Sequence, residues 1–477
     1  MDSNIGYLRE LRLESQITMY IVGSYIRDFF LGKKAHTIDV YVESNAEKMA
    51  MEYAAKIGGR AIKYQSWKNL WRILDSKNQL VGNFHDMKGE NLETSLKNRD
   101  FTINSLAIEV FNVDLMNKIT IIDYFGGLDD LEDKKIRTVS KETFDHNPLR
   151  LLKAIRYMAE LEFDLEENTH KLIKEKKELL KNVENEKYTY EIFKILASEY
   201  SNEYIEFMEK EFDMFQIVFP EIIPMKCTGK CKYHTVDVFT HSVQTLKKLE
   251  FISRSDGFFE PHIRKTYEKH SKELMSHGRN RLQIIKLASL FHDVGKPESE
   301  EIDKEGRTRF GGHEITGGRI IESISKRLNL ADAESNLMKK IVEKHMIPLD
   351  IYTHNDVSGK ALYERFKTTG DATLDVFLIA LADITATREL LNPKEELHKF
   401  KVFIEYLVDN YLTRYLEVQN ISDIVNGRDL IEKLKIDSGS HIGELIEEIR
   451  KAIYYGIIGR DEFEVIEYAK QIVSEIK

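Results

Sequence analysis

Six residues in the middle of the chain, His241, His292, Asp293, His313, His345 and Asp383, are of the types that hold metal ions, and each falls inside a helical pattern or at its end. His292-Asp293 follows the apolar run 284–291, which places the pair at the inner end of a buried helix. Adjacent residues do not share one helix face fully, yet they can approach one ion from neighbouring angles, and the two carboxylate oxygens can bridge a second ion. Asp383 ends the apolar run 378–382, where burying a carboxylate without a cation is costly. A mixture of imidazole and carboxylate suits Mn, Fe, Co, Ni or Zn better than an all-oxygen site would, and Mg stays open, so one or two divalent ions are expected. Lys296 can set its ammonium on a phosphate oxygen or act as a cation at the helix C-terminus; both readings stand at this level.

A second set lies near the N-terminus. The segment Ile21-Val22-Gly23-Ser24-Tyr25-Ile26-Arg27-Asp28 reads as a strand, a small-residue turn and a helix, a turn that brings backbone N–H groups toward a phosphate. In the strand that follows, the period of two puts Thr37, Asp39 and Tyr41 on one face. Asn98-Arg99-Asp100-Phe101-Thr102-Ile103-Asn104 comes later, then His146-Asn147-Pro148-Leu149-Arg150 and Arg156.

The elements that must position these residues divide the chain unevenly. Strand signals concentrate in the first 140 residues, at 20–22, 37–42, 80–84, 102–110 and 118–123, with a helix at 46–57 between them. From about Asn147 onward apolar residues recur at helical spacing, as in Leu149, Leu152, Ile155 and Met158. Loops are expected at 228–232 and 298–308, and Pro393 breaks the helices near 392–396. The expected molecule is therefore predominantly helical, with an α/β head at 1–140, a helical neck at 141–225, a helical metal-binding domain at 226–395 and a helical tail at 396–477.

Composition bounds the partners. A formal charge of −10 argues against nonspecific coating of nucleic acid, while a local basic patch can still hold one RNA end. No run approaches the roughly 20 apolar residues of a membrane span, and the N-terminus lacks the apolar core of a signal peptide, so a cytoplasmic protein with no membrane partner is expected. Cys227 and Cys231 supply half a zinc site at most.

The N-terminal motifs, in their order and spacing, resemble the class II tRNA nucleotidyltransferase and poly(A) polymerase family, with its Gly-Gly turn, Arg-Asp, Leu-Gly, Asp-x-Asp and Arg-Arg-Asp-Phe-Thr-Ile-Asn-Ala. The likeness continues through Asp123-Tyr124-Phe125-Gly126-Gly127 and Pro148-Leu149-Arg150, and reaches Asn426-Gly427-Arg428-Asp429-Leu430 and Ser438-Gly439-Ser440-His441. It implies a nucleotidyltransferase-like head whose nucleotide or RNA contacts are Gly23, Ser24, Arg27, Asp28, Arg99, Asp100, Asn104, Asn147, Arg150 and Arg156. The six central residues resemble the HD superfamily of metal-dependent phosphohydrolases, in which His, His-Asp and a distant Asp bind one metal; His313 and His345 stand where two-metal members have further ligands. That likeness implies a bridging hydroxide attacking phosphorus, with Asp293 and Lys296 as catalytic candidates.

The head departs from its family where transfer chemistry is done. The family holds two divalent ions with Asp-x-Asp and a third acid; here the first acid is Thr37, the second is Asp39 and the third position matches Asn83. Asp86, three residues on, falls on the opposite strand face. Asn147 stands where the family has an aspartate that reads the incoming base, and Ser24 replaces the second glycine of the turn. The leading expectation is thus HD phosphohydrolysis of a nucleotide or RNA terminus, with the head binding its ligand, tRNA included, after losing transfer. The alternatives are an active CCA- or poly(A)-adding enzyme and a non-catalytic RNA-binding module. An internal Arg27–Asp100 ion pair is the structural alternative to ligand binding by these two residues.

Overall fold

Buried and half-buried residues alternate along Leu70–Leu74 and Leu80–Asp86, which gives each a side to bury and a side to leave open, while Met19–Val22 and Leu106–Glu109 bury consecutive residues. The computed structural model describes residues 3–35, 37–64, 70–111, 120–229, 236–389, 394–437, 439 and 441–476. Its seven-stranded sheet comprises β1 (Met19–Val22), β2 (Ile38–Val42), β3 (Arg60–Tyr64), β4 (Leu70–Leu74), β5 (Leu80–Asp86), β6 (Leu106–Glu109) and β7 (Ile122–Asp123), in the order β3-β4-β5-β2-β1-β6-β7. The β2–β5 pair is parallel and the rest are antiparallel. The helix Ala46–Lys56 turns Met49, Ala50 and Tyr53 onto one face of β3, β4 and β5, where Trp71, Ile73 and Phe84 are buried. Asp39, Tyr41, Arg72, Asn83 and His85 point to the other face.

The head sheet is larger than the sequence predicts: β3, with Arg60 and Lys63 both exposed, has no clear alternation, and β4 goes unpredicted although Trp71 and Ile73 alternate with half-buried residues. The expected strand at 102–110 is shorter: Thr102–Asn104 forms a 3-10 turn, and extended structure begins at Leu106. Of the strand expected at 118–123, residues 118 and 119 lie outside the described residues, and Ile122–Asp123 is extended.

Compact packing separates the chain into two units. One contains Met1–Ile195 and Phe207–Val218, the other Leu196–Glu206 and Phe219–Lys477. Within the first, the amphipathic helix Arg150–Leu161 buries Leu151, Leu152, Ile155 and Met158. The second is built on the helices Val238–Arg254, Arg281–Phe291, His313–Arg327, Asp332–Lys344 and Thr373–Glu389. Asn280 starts Arg281–Phe291 with a reciprocal cap to Gln283, and every residue of that helix from Gln283 to Phe291 is buried. The expected loop at 298–308 contains a small hairpin, Glu301–Ile302 against Thr308–Arg309. The predicted break near Pro393 falls on residues 390–393, which, like Cys231 and much of the loop expected at 228–232, lie outside the described residues; helices are described up to Glu389 and from Lys394. The final helices Gly427–Leu434, His441–Tyr455 and Glu462–Ile476 pack a core of Leu430, Leu445, Ile449 and Val465. Among the described residues no helix is long and apolar enough to cross a membrane.

Candidate functional site

Five helices deliver the six metal-type residues to one buried place. His241 lies in the first turn of Val238–Arg254, His292 and Asp293 follow the last residue of Arg281–Phe291, His313 opens His313–Arg327, His345 follows Asp332–Lys344, and Asp383 sits within Thr373–Glu389. Asp293 is the hub. Its Oδ2 faces His292 Nε2 at 3.2 Å and His241 Nε2 at 3.7 Å, while its Oδ1 faces His313 Nε2 at 3.3 Å and His345 Nε2 at 3.8 Å. Asp383 closes the first group, its Oδ1 2.9 Å from His241 Nε2.

Three of the imidazoles are oriented by one device. His292, His313 and His345 each set Nδ1 against the carbonyl oxygen three residues earlier, of Ser289, Phe310 and Val342, at 2.9, 2.8 and 2.7 Å. A carbonyl only accepts, so Nδ1 carries the proton and Nε2 presents a lone pair to the interior. These three Nε2 atoms are buried without a hydrogen-bond partner. Burial, reinforced by the neighbouring His292, pushes the His345 pKa down to about 3, the neutral form a metal requires. At His292 burial works the same way, but the Asp293 carboxylate outweighs it and raises the pKa. His241, His292 and Asp383 form one ligand-competent group, and His292, Asp293 and His345 another. Unpartnered buried donors of this kind fit one or two divalent ions.

Close helix packing sets the distance between the two halves. A Cβ on Gly295 would lie 2.1 Å from the His313 carbonyl oxygen and 2.5 Å from Gly317 N, so the turn after Asp293 meets the helix bearing His313 only because position 295 is glycine. Lys296 Nζ lies 2.6 Å from Asp293 Oδ2 and over the Phe310 ring, so its ammonium faces the candidate site.

The head offers a different arrangement. Asp39 and Asn83 are opposite each other across the parallel β2–β5 pair, and Asn83 Nδ2 donates to Asp39 Oδ1 at 2.9 Å. Arg99 donates to Asp39 Oδ2 at 3.1 Å and to the Tyr41 hydroxyl at 3.4 Å. Burial alone would raise the Asp39 carboxyl; Arg99, His85 and Asn83 outweigh it and hold it below the usual carboxylate range. Gly23, at φ +79°, makes room for this guanidinium, since a Cβ there would fall 2.2 Å from an Arg99 nitrogen. A donor set of one carboxylate with both oxygens engaged does not fit a two-ion centre.

Around this point lies a cleft of about 450 Å³, lined by Asp39, Arg99, Asp100, Asn147 and Arg150 among the residues expected from sequence. Arg150 gives its guanidinium to two backbone carbonyls, of Thr143 and Asn98. The structure places Arg27, Asp28, Asn104 and Arg156 in a network behind it. Arg27 pairs with Asp28 at 2.6 Å and donates to Asn104, and Arg156 pairs with Glu191 at 2.9 Å. The Arg27–Asp100 pair does not form; Asp100 is held by Lys153 and accepts from Asn104. Ser24 begins the helix Ser24–Phe30. Asp86 pairs in register with Val42 and caps a turn through Lys88 N, away from Asp39.

Residues 19–137 match the poly A polymerase head domain, 162–226 the region described as "Probable RNA and SrmB- binding site of polymerase A", and 238–388 the HD domain. Across 449 residues the chain is 25% identical to the A-adding tRNA nucleotidyltransferase of Deinococcus radiodurans, covering 92% of each protein. The chain belongs to the class II tRNA nucleotidyltransferase family and carries an HD domain. An A-adding tRNA nucleotidyltransferase of Aquifex aeolicus is 35% identical over 167 residues, 33% of this chain and 20% of that one. A CC-adding tRNA nucleotidyltransferase of Geobacter sulfurreducens is 30% identical over 186 residues, 39% of this chain and 42% of its own length. In fold, the chain is like the Thermotoga maritima CCA-adding enzyme complexed with tRNA, at a TM-score of 0.63 and 22% identity over 100% of this chain and 95% of that one.

Within this family member, sequence reading missed several residues of the head cleft: Leu70 and Arg72 of β4, His85, Lys153 and Glu191. The alternation Leu70-Trp71-Arg72-Ile73-Leu74 is the signal that would have found Arg72, since it puts Trp71 and Ile73 in the core and Arg72 on the open face.

Proposed function

We propose that the protein acts at the 3′ end of tRNA, binding a nucleoside triphosphate in the head cleft for addition to that end. The observation that carries this reading is the cleft itself, where Arg99 and Arg150 stand beside Asp39 on the open face of the sheet. Guanidinium groups at such a place can hold phosphate or a base edge. The relatives named as A-adding and CC-adding enzymes favour this reading over the hydrolysis that the sequence put first. With Thr37 and Asn83 in place of two family acids, addition is expected to be slow. The test is incorporation of labelled CTP and ATP into tRNA lacking its 3′ terminus, compared between the wild type and Thr37→Asp with Asn83→Asp. Measurable wild-type incorporation that the double variant raises at least tenfold is expected. No incorporation by either protein would overturn the reading.

A second reading has its own observation, the Asp293 carboxylate with each oxygen facing a different pair of imidazoles. In it the HD site hydrolyses a phosphoester at a nucleotide or RNA terminus, such as a 2′,3′-cyclic phosphate. Bound at His241, His292, Asp293, His313, His345 and Asp383, divalent ions would supply Lewis acidity and an activated water. The protein's own part is to fix the imidazole tautomers, exclude water through burial and offer the Lys296 ammonium to a phosphate oxygen. Phosphate release from nucleotides and cyclic-phosphate-ended RNA, measured on the same metal-analysed preparation, checks it. Activity in neither assay, with RNA still bound, would leave the binding-module alternative.

A further inference from the structure

The helix Ala46–Lys56 covers one face of β3, β4 and β5, but the opposite face carries residues that can stack and residues that carry charge. Register aligns them in two rows. Arg72 pairs with Asn83 and Asn83 with Asp39; Tyr64 pairs with Leu70, Leu70 with His85 and His85 with Tyr41. At the outer end the Arg72 guanidinium lies 3.7 Å from the centre of the Tyr64 ring, and Arg72 itself lines the head cleft.

Three features separate Arg72 from a cation that merely braces two strands. Its Nε is buried and has no hydrogen-bond partner. The other basic groups of the cleft are committed: Arg99 to Asp39, Lys153 to Asp100 and Arg150 to two backbone carbonyls, while Arg72 has no carboxylate partner among the described residues. Its position is also ordered with respect to the centre, since two strand spacings, about 10 Å, separate β4 from β2 and Asp39. A planar cation backed by a phenol ring offers a π-surface and a positive charge together. That combination holds an unpaired base and its phosphate without reading sequence.

We propose that the Arg72–Tyr64 pair is a stacking platform for an unpaired nucleobase of the RNA 3′ tail, on the upstream side of the nucleotide whose ribose reaches Asp39. This rests on the reading that the protein binds an RNA 3′ end, and it assigns to β3 and β4 the part of that end they hold.

The test uses the full chain and two labelled probes, a tRNA acceptor minihelix with a single-stranded 3′ tail and the same minihelix trimmed blunt. Affinities are measured for the wild type, Tyr64→Ala, Tyr64→Phe, Arg72→Ala and Arg72→Lys, with ATP binding and thermal unfolding recorded for each. The wild type is expected to prefer the tailed probe. Tyr64→Ala and Arg72→Ala should lower tailed affinity at least fivefold, about the low end for one stacked base, and leave blunt affinity unchanged, and Tyr64→Ala, outside the lining of the head cleft, should also leave ATP binding unchanged. Tyr64→Phe keeps the ring and should keep the preference, whereas Arg72→Lys keeps the charge but loses the plane and should not. Tail preference unchanged in both alanine variants overturns the platform and leaves the RNA-end reading standing. A wild type that binds neither probe overturns both. Should an alanine variant unfold, the contrast between Tyr64→Phe and Arg72→Lys decides, and equal tail preference in those two counts against the platform.

Discussion

Asp293 and Asp100 are both buried carboxylates held in their charged form, and the residues around them assign them different work. Asp293 faces two pairs of imidazoles at once, one with each carboxylate oxygen. Asp293→Ala is expected to strip the metal from purified protein and abolish phosphate release, as read by elemental analysis and the hydrolysis assay; full metal content in the variant would contradict the assignment. Asp100 instead fixes the head. Burial would raise its carboxyl, but the Lys153 ammonium, followed by Arg99, holds it well below the usual range. A carboxylate depressed in the folded state contributes stability that is complete above its unfolded pKa, near 4, and is lost as pH falls toward the folded value. Asp100→Asn should therefore cost about 3 kcal/mol at pH 7, the low end for breaking a buried pair, with the difference from wild type shrinking only below about pH 4. Urea melts across pH measure it. At this scale much was legible in sequence. The six metal-type residues were named from type, order and flanking apolar runs, and the structure brings them together. What could not be read was pairing: Asp100 is held by Lys153 rather than Arg27, and Asp39 by Arg99, because partners distant in sequence are chosen by packing.

Among the elements, the one that fixes the distance between the halves of the HD site is the turn through Gly295. The helix His313–Arg327 approaches this turn more closely than a methyl group allows. Gly295→Ala must push the helix back, carrying His313 with it, while His241, His292 and Asp383 remain on helices that the change does not touch. The expected outcome is a folded protein with one metal ion fewer per chain, checked by elemental analysis beside a thermal melt; unchanged metal content would show that the contact yields cheaply. Helices were the legible elements, since the 3.6-residue pattern of buried positions in segments such as Arg150–Leu161 is strong. The strands β3 and β4 were not: β3 buries none of its residues, and the open face of β4 carries Arg72 between Leu70 and Leu74.

For the whole molecule, the head and the HD domain were legible because each brings its own motif, whereas the neck between them was read from helical spacing alone; family models match 19–137, 162–226 and 238–388. The balance between the two chemistries was not. Counting acids in the head favoured hydrolysis, whereas the relatives favour addition to tRNA. Neither count sees that Asp39 is already neutralised by side chains of its own chain, a property of the folded sheet. The way the imidazoles are aimed has a further consequence, for how the chain can change in length. His292 and His345 each follow the last residue of a helix and take their direction from the carbonyl three residues earlier, so the bearing of each depends on the residue count of its helix. One added residue turns everything beyond it by about 100° while leaving the helix intact. An alanine inserted after Leu287 should accordingly yield a helical protein without metal, whereas a Gly-Ser pair inserted at Gly306, in the turn of the hairpin, should leave metal content unchanged; circular dichroism and elemental analysis of the two variants would test this. Insertions and deletions among related chains should then gather in such turns and spare the helices that carry ligands, a reading frame kept by geometry rather than by the code.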